Sequence, residues 1–384
     1  MAFRLYGTPG SLYTGKVRSY LIKQGIPFDS RAAGEARFRE EIVGKLGRWI
    51  IPVLETPEGE LLQDGSAIIE RLEADGHARW STFPTTPRHR LIGQVFELFG
   101  GEGLLRPAMH YRWNFDATNQ PFIANDFIAG LAVPGADPAE GQAIFQFAAQ
   151  RMRKAMASFG VSPTSIPLVE AAYEQFLDLF DAHLAQSPYL LGGRPTIGDY
   201  GLIAPLYAHL GRDPFPASLM KARAHRVWRW VERMNAPDLD AGEYGCPPAE
   251  LFPDDSVPDT LKDLLRFVAE DYLPEVRAYV GFANAWLAER PGLEPMTSGL
   301  PRTSTRAIGM AAFDWRGAPV EVAVMPYRLW LLQKVQDAAA VPADGEGTGP
   351  EALLRETGLS ELVTLTTARR IERVGQLEVW AGPG

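Results

Sequence analysis

The chain has 384 residues, 46% hydrophobic and 22% charged, with 38 Lys and Arg against 47 Asp and Glu for a formal charge of -9. That is enough for two or three domains and a sizeable core. The acidic balance argues against a nucleic-acid partner, which needs a basic surface, and no apolar run approaches the ~20 residues of a membrane span.

A single cysteine, Cys246, in the Pro-rich loop "YGCPPAE", excludes an internal disulfide framework. With no export-type basic-apolar opening in "MAFRLYG", the expected location is the cytoplasm.

Residues 1 to about 76 read as a compact α/β unit. "FRLY" is a strand. Val17, Tyr20 and Leu21 recur at helical spacing, and Gly25 suits a stop. "IPFDSRAA" is a second strand and "GEARFREEIVGKL" a polar, helix-friendly stretch. "IIPVLETPEGELLQ" reads as a hairpin turning at Pro-Glu-Gly, and "DGSAIIERLEAD" starts a helix near its Asp.

"STFPTTPRHR" is a linker. Helices are expected over about 87–106, 138–159, 167–186, 198–210 and 218–235. "RPTIGDYGLIAPL" carries a capping box between Thr196 and Asp199. "YGCPPAELFPDDSVPD" is a second break.

The rest is expected to hold one long helix over 259–290 and a hairpin turned at Arg316-Gly317. A helix follows, opened by Pro326, with Leu329, Leu332 and Val335 facing that hairpin. "VPADGEGTGP" is a flexible loop and "RIERVGQLEVWAG" a final strand. No repeat is visible.

The stretch "YGTPGSLYTGKVR" has two readings. Gly10 to Gly15-Lys16 spells most of a phosphate-binding loop, but Val17 stands where the magnesium-holding Ser or Thr belongs. Alternatively, the helix start near Tyr13 aims free N–H groups and a positive dipole end at Ser11. A hydroxyl there lowers a guest thiol's pKa by hydrogen bonding to the thiolate. Ser11 equally suits a helix cap.

Pro52 follows "WII" at a strand start, where a cis bond turns the backbone of Ile51 toward an extended peptide. Asp64 opens a helix whose N–H groups suit a carboxylate, or simply caps it. "RPAMHYRWNF" gathers His110, Tyr111 and Trp113 on one helix, as an aromatic substrate wall or as interhelical packing. The six histidines are scattered, with no i,i+4 pair, so no metal is expected. Cys-x-x-Cys is absent where "SLYT" stands, so dithiol chemistry is excluded.

"LYGTPGSLYTGKVR", "GIPFDSR", "IPVLETPEGELLQDGSAIIERLE" and "LDLFDAHLAQSPYLLGGRPTIGDYGLIAPL" together resemble the glutathione S-transferase superfamily, in its serine-type, bacterial-like form. The resemblance implies an α/β thioredoxin-like glutathione-binding domain over 1–80 and an all-α helical domain over 85–258. An α+β extension over 259–384, a helix plus a small β hairpin or sheet, has no counterpart in it. It implies that Ser11, with Tyr13 as understudy, activates glutathione as co-substrate. Ile51 and Pro52 would pair with the cysteinyl part, and Asp64, Gly65 and Ser66 would hold the γ-glutamyl end. Gly65 replaces the family's serine. His110, Tyr111 and Trp113 would face a small apolar electrophile, and the enzyme would be a homodimer. The alternative is a non-catalytic binding or scaffold protein on the same fold.

Overall fold

The computed structural model describes residues 2–302, 304–341 and 349–382. The first unit runs β1 (Phe3–Gly7), α1 (Leu12–Gln24), β2 (Phe28–Ala32), α2 (Val43–Leu46), β3 (Val53–Glu55), β4 (Leu61–Gln63) and α3 (Gly65–Ala74). Its sheet order is β2-β1-β3-β4, with β1 and β2 parallel and the other pairs antiparallel. α1 stops at Gly25 as expected. Val17, Tyr20 and Leu21 are buried under the sheet with Ile68 and Leu72 of α3.

The helical unit holds α4 (Pro87–Leu98), α5 (Leu105–Trp113), α6 (Asp116–Leu131), α7 (Pro138–Ala155), α8 (Ile166–His183), α9 (Ile197–Ala208), α10 (Pro214–Arg223) and α11 (His225–Met234). The single helix expected over 87–106 is two, joined by a π turn at Phe99–Gly103. Gly100 explains the interruption. A Cβ there would lie 2.4 Å from the Gly201 carbonyl carbon and the Leu202 nitrogen, so α4 and α9 meet backbone to backbone. The helix expected over 218–235 likewise breaks, at Ala224. In the expected capping box, Asp199 accepts from the Thr196 N–H at 2.9 Å and also from the Leu190 N–H at 3.0 Å.

The extension holds more elements than expected: α12 (Asp259–Asp271), α13 (Leu273–Ala288), β5 (Gly309–Trp315), β6 (Ala318–Val324), α14 (Pro326–Ala339), α15 (Pro350–Glu356), β7 (Ile371–Val374) and β8 (Leu377–Trp380). Pro274 has no N–H for the carbonyl four residues back, so the long helix expected over 259–290 restarts at Leu273. The final strand is instead a hairpin, β7–β8, and most of the expected loop "VPADGEGTGP" lies outside the described residues. β5 and β6 pair across Arg316-Gly317 as expected. α14 packs mainly on α4 and on β7–β8, and Arg328 reaches back to the Ala323 carbonyl of the preceding hairpin at 3.4 Å. Phe99, Phe176, Trp230, Phe267, Val335 and Trp380 share one continuous core, so the extension is built into the body of the protein.

His183 ties the helical unit to that extension. Its Nε2 donates to the Leu190 carbonyl at 2.9 Å, which leaves Nδ1 to accept from the Thr260 hydroxyl at 2.9 Å. Burial lowers its pKa to about 4. The unfolded chain takes up this proton near 6.5. The neutral ring therefore stabilises the fold fully above that pH, and the contribution is lost as pH falls toward 4. Unfolding free energy in urea is expected to drop by about 3 kcal/mol from this group between pH 7 and 4. His183→Gln is expected to flatten that slope.

Candidate functional site

The turn between β1 and α1 is fixed before any ligand arrives. The Ser11 N–H donates to the Thr8 carbonyl at 3.1 Å, and the Ser11 Oγ accepts from the Thr14 N–H at 3.3 Å, capping α1. From α5, the buried Arg112 donates to the Gly10 and Ala208 carbonyls, both at 2.9 Å, and forks onto Asp213 at 2.7 Å twice. Tyr6 stacks on Phe38 and donates to Glu55 at 3.2 Å, which makes it a core residue.

Tyr13, Ile51, Pro52 and Asp64 come together, as the sequence reading grouped them, and the Ile51-Pro52 bond is cis. The cavity between them is about 10 Å³. One water needs roughly that much, and drug-sized ligands occupy about 300–1,000 Å³. Ile50 and Gln63 line it as well, and so do Arg306 and Tyr327 from the extension. Ser11 does not line it.

The polar groups around this cavity are engaged from within. The Tyr13 hydroxyl donates to Glu102 Oε1 at 3.0 Å, and Glu102 Oε2 accepts from Arg328 Nε at 2.9 Å. Arg328 continues to Glu275 at 2.7 Å, which accepts from Arg106 at 2.5 Å. Burial, then the Glu102 charge, pushes the Tyr13 phenol well above its ordinary value. Its proton stays on and points at a carboxylate, so it is not offered to a thiolate.

Asp64 has φ 81°, a conformation costly for a residue with a Cβ. Its carboxylate accepts from the Ser66 and Ala67 N–H groups at 3.0 Å each. These are the donors that the sequence reading left for a ligand. Burial pushes the Asp64 carboxyl up, but the charges of Arg373 and Lys16 outweigh it and hold the pKa below the usual range. Arg373, on β7, has Nη1 2.9 Å from Asp64 and donates through Nη2 to Gln63 at 2.9 Å.

Ser66 faces inward. It accepts from Lys16 Nζ at 2.8 Å, donates to Glu97 and lies 3.4 Å from the Tyr327 hydroxyl. Lys16 also pairs with Glu97. At Gly65 a Cβ would sit 3.1 Å from Lys16 Cδ, close enough that the lysine would have to give way slightly.

His110, Tyr111 and Trp113 do not line this cavity. His110 pairs with Glu170 at 2.9 Å, Tyr111 stacks on Phe115 and Phe215, and Trp113 packs with Ile123 and Phe145. All three are buried between helices.

The sequence reading missed Glu102, Arg306, Tyr327, Arg328 and Arg373. "GGEG" inside an apolar run and "PYRLW" opening an apolar helix were the available signals: a charge set among residues that must be buried needs a partner.

Ser11→Ala is expected to cost about 1 kcal/mol through the lost cap. Glu102→Gln, which leaves the buried Arg328 short of a counter-charge, is expected to cost about 3 kcal/mol. Urea unfolding followed by circular dichroism measures both.

Comparison with known proteins agrees with this architecture. Residues 5–79 match the glutathione S-transferase N-terminal domain, and residues 148–235 match the C-terminal domain of the same family. No curated protein matches the chain. Among solved structures, it is similar to the β-etherase LigF of Sphingobium sp. strain SYK-6, at 17% identity and TM-score 0.41, covering 62% of this chain and 96% of that one. It is similar also to the glutathione transferase GSTFuA3 of Phanerochaete chrysosporium, at 17% identity and TM-score 0.42, covering 61% and 96%. A glutathione S-transferase of Methylobacterium radiotolerans in complex with glutathione sulfonate aligns at 18% identity and TM-score 0.35, covering 67% and 100%. Residues 5–79 and 148–235 therefore carry the two domains of the glutathione S-transferase superfamily, in that family's order, and an extension follows them.

Proposed function

We propose that this protein keeps the glutathione S-transferase fold as a binding or scaffold protein and does not activate glutathione in the state described. One observation carries the reading. Around a cavity of about 10 Å³, the hydroxyl of Tyr13, the carboxylate of Asp64 and the first N–H groups of α3 are all satisfied by the chain itself. A tripeptide thiol finds neither the room it needs nor these groups free to bind it.

A second reading has its own support. Tyr13, Ile51, Pro52 and Asp64 do meet at one place, and Ser11 stays half-buried at the start of α1. On that reading the protein is a serine-type transferase, working as a cytoplasmic homodimer. The N-terminus of α1 and the Ser11 hydroxyl lower the glutathione thiol pKa for attack on a small apolar electrophile.

Calorimetry with reduced glutathione, followed by turnover of a generic aromatic electrophile, separates the two. We expect no binding heat at millimolar glutathione, no rate above the uncatalysed one, and no change in either on Ser11→Ala. Binding together with turnover that collapses in Ser11→Ala would establish the transferase instead.

A further inference from the structure

We infer that the C-terminal extension is an internal ligand of the glutathione cleft: the side chains of Arg306, Tyr327 and Arg373 fill the volume and take the contacts of a γ-glutamyl thiol. This rests on the closed-site reading above.

The framework of the cleft is intact. β3 holds its register with β1 and β4, Pro52 is cis and Asp64 keeps its strained φ at the head of α3. Side chains of the extension reach the cleft from three separate parts: Arg306 before β5 and Tyr327 in the first turn of α14 line the cavity, and Arg373 of β7 pairs with Asp64.

Their chemistry is complementary to the walls. The Arg373 guanidinium puts positive charge on Asp64, where the ammonium of a γ-glutamyl group would otherwise find an acid. The Tyr327 ring is buried beside it, with its hydroxyl turned to Ser66. Arg306 lines the same cavity as Tyr13. Because Arg373 already supplies the cation, Asp64 is not left as an unpaired buried charge, which would be costly.

The occupant is held from behind. Gln333 of α14 exchanges hydrogen bonds with both backbone groups of Ile371, at 2.9 and 2.7 Å. Trp380 stacks on Trp286 at 5.8 Å between centroids and donates its backbone N–H to the Thr297 carbonyl at 2.9 Å. β7–β8 is therefore part of the core and not a hinged flap, and the cleft is shut as a standing property of the fold.

The test is calorimetry of reduced glutathione on the full chain. It compares the unaltered protein, the variant Arg306→Ala/Tyr327→Ala/Arg373→Ala, and the milder Arg306→Ala/Tyr327→Ala, each checked for folding by circular dichroism. The unaltered chain is expected to be silent. The triple variant should bind at least about tenfold more tightly than the unaltered chain's detection limit. The double variant should bind more weakly than the triple, because Arg373 still competes for Asp64, and Asp64→Ala in the triple background should abolish binding. If the triple variant fails to fold, heat from the folded double variant decides. Folded variants as silent as the unaltered chain would overturn the inference and leave the closed-site reading standing. Heat from the unaltered chain would overturn that reading itself.

Discussion

One buried carboxylate sets the terms for the rest of the molecule. Glu102 takes the Tyr13 hydroxyl from the first unit and the Arg328 guanidinium from the extension, at 3.0 and 2.9 Å. Arg328 and Arg106 balance Glu102 and Glu275, and all four are 3% exposed or less. Charges so deep are tolerable only as a closed set, since any one left alone faces the full cost of desolvation. The turn that reads as a thiol site and the extension that reads as an appendage are therefore two ends of one electrostatic unit. Glu102 reaches its place because the π turn at Phe99–Gly103 swings it inward where α4 and α9 touch.

The stabilising contacts and the specifying contacts are separate along this seam. Leu329, Leu332 and Val335 of α14 are buried in the common core and contribute on the order of 1.5–3 kcal/mol each. The ion pairs beside them, Lys334 with Glu70, Arg373 with Asp64 and Arg328 with Glu102, add little net energy against an apolar alternative. Each joins a charge of α14 or β7 to one in an earlier unit, so together they tie the extension to the rest of the chain at three points.

Local physics was legible in the sequence and long-range pairing was not. The strand-helix-strand order of the first unit, the stop at Gly25, the Thr196–Asp199 box, the turn at Arg316-Gly317 and the Pro326 helix start each depend on a few neighbouring residues, and each stands as expected. Arg373 and Gln63 lie 310 positions apart, and Glu102 and Arg328 lie 226 apart; no periodicity connects them. α6 escaped notice because Pro121 and its polar first turn hide a helix whose apolar side is narrow. The aromatics of "RPAMHYRWNF" misled for a related reason. A helix packed on several sides and a helix lining a pocket use the same letters, and only the fold tells them apart.

Gly65 and Lys16 are coupled positions. A Cβ at 65 would sit 3.1 Å from Lys16 Cδ, and Lys16 is held there by Glu97 and Ser66. A side chain at 65 asks the lysine to give by a few tenths of an ångström, and shortening the lysine leaves the buried Glu97 without its cation. Changes at the two positions therefore do not add as independent ones would.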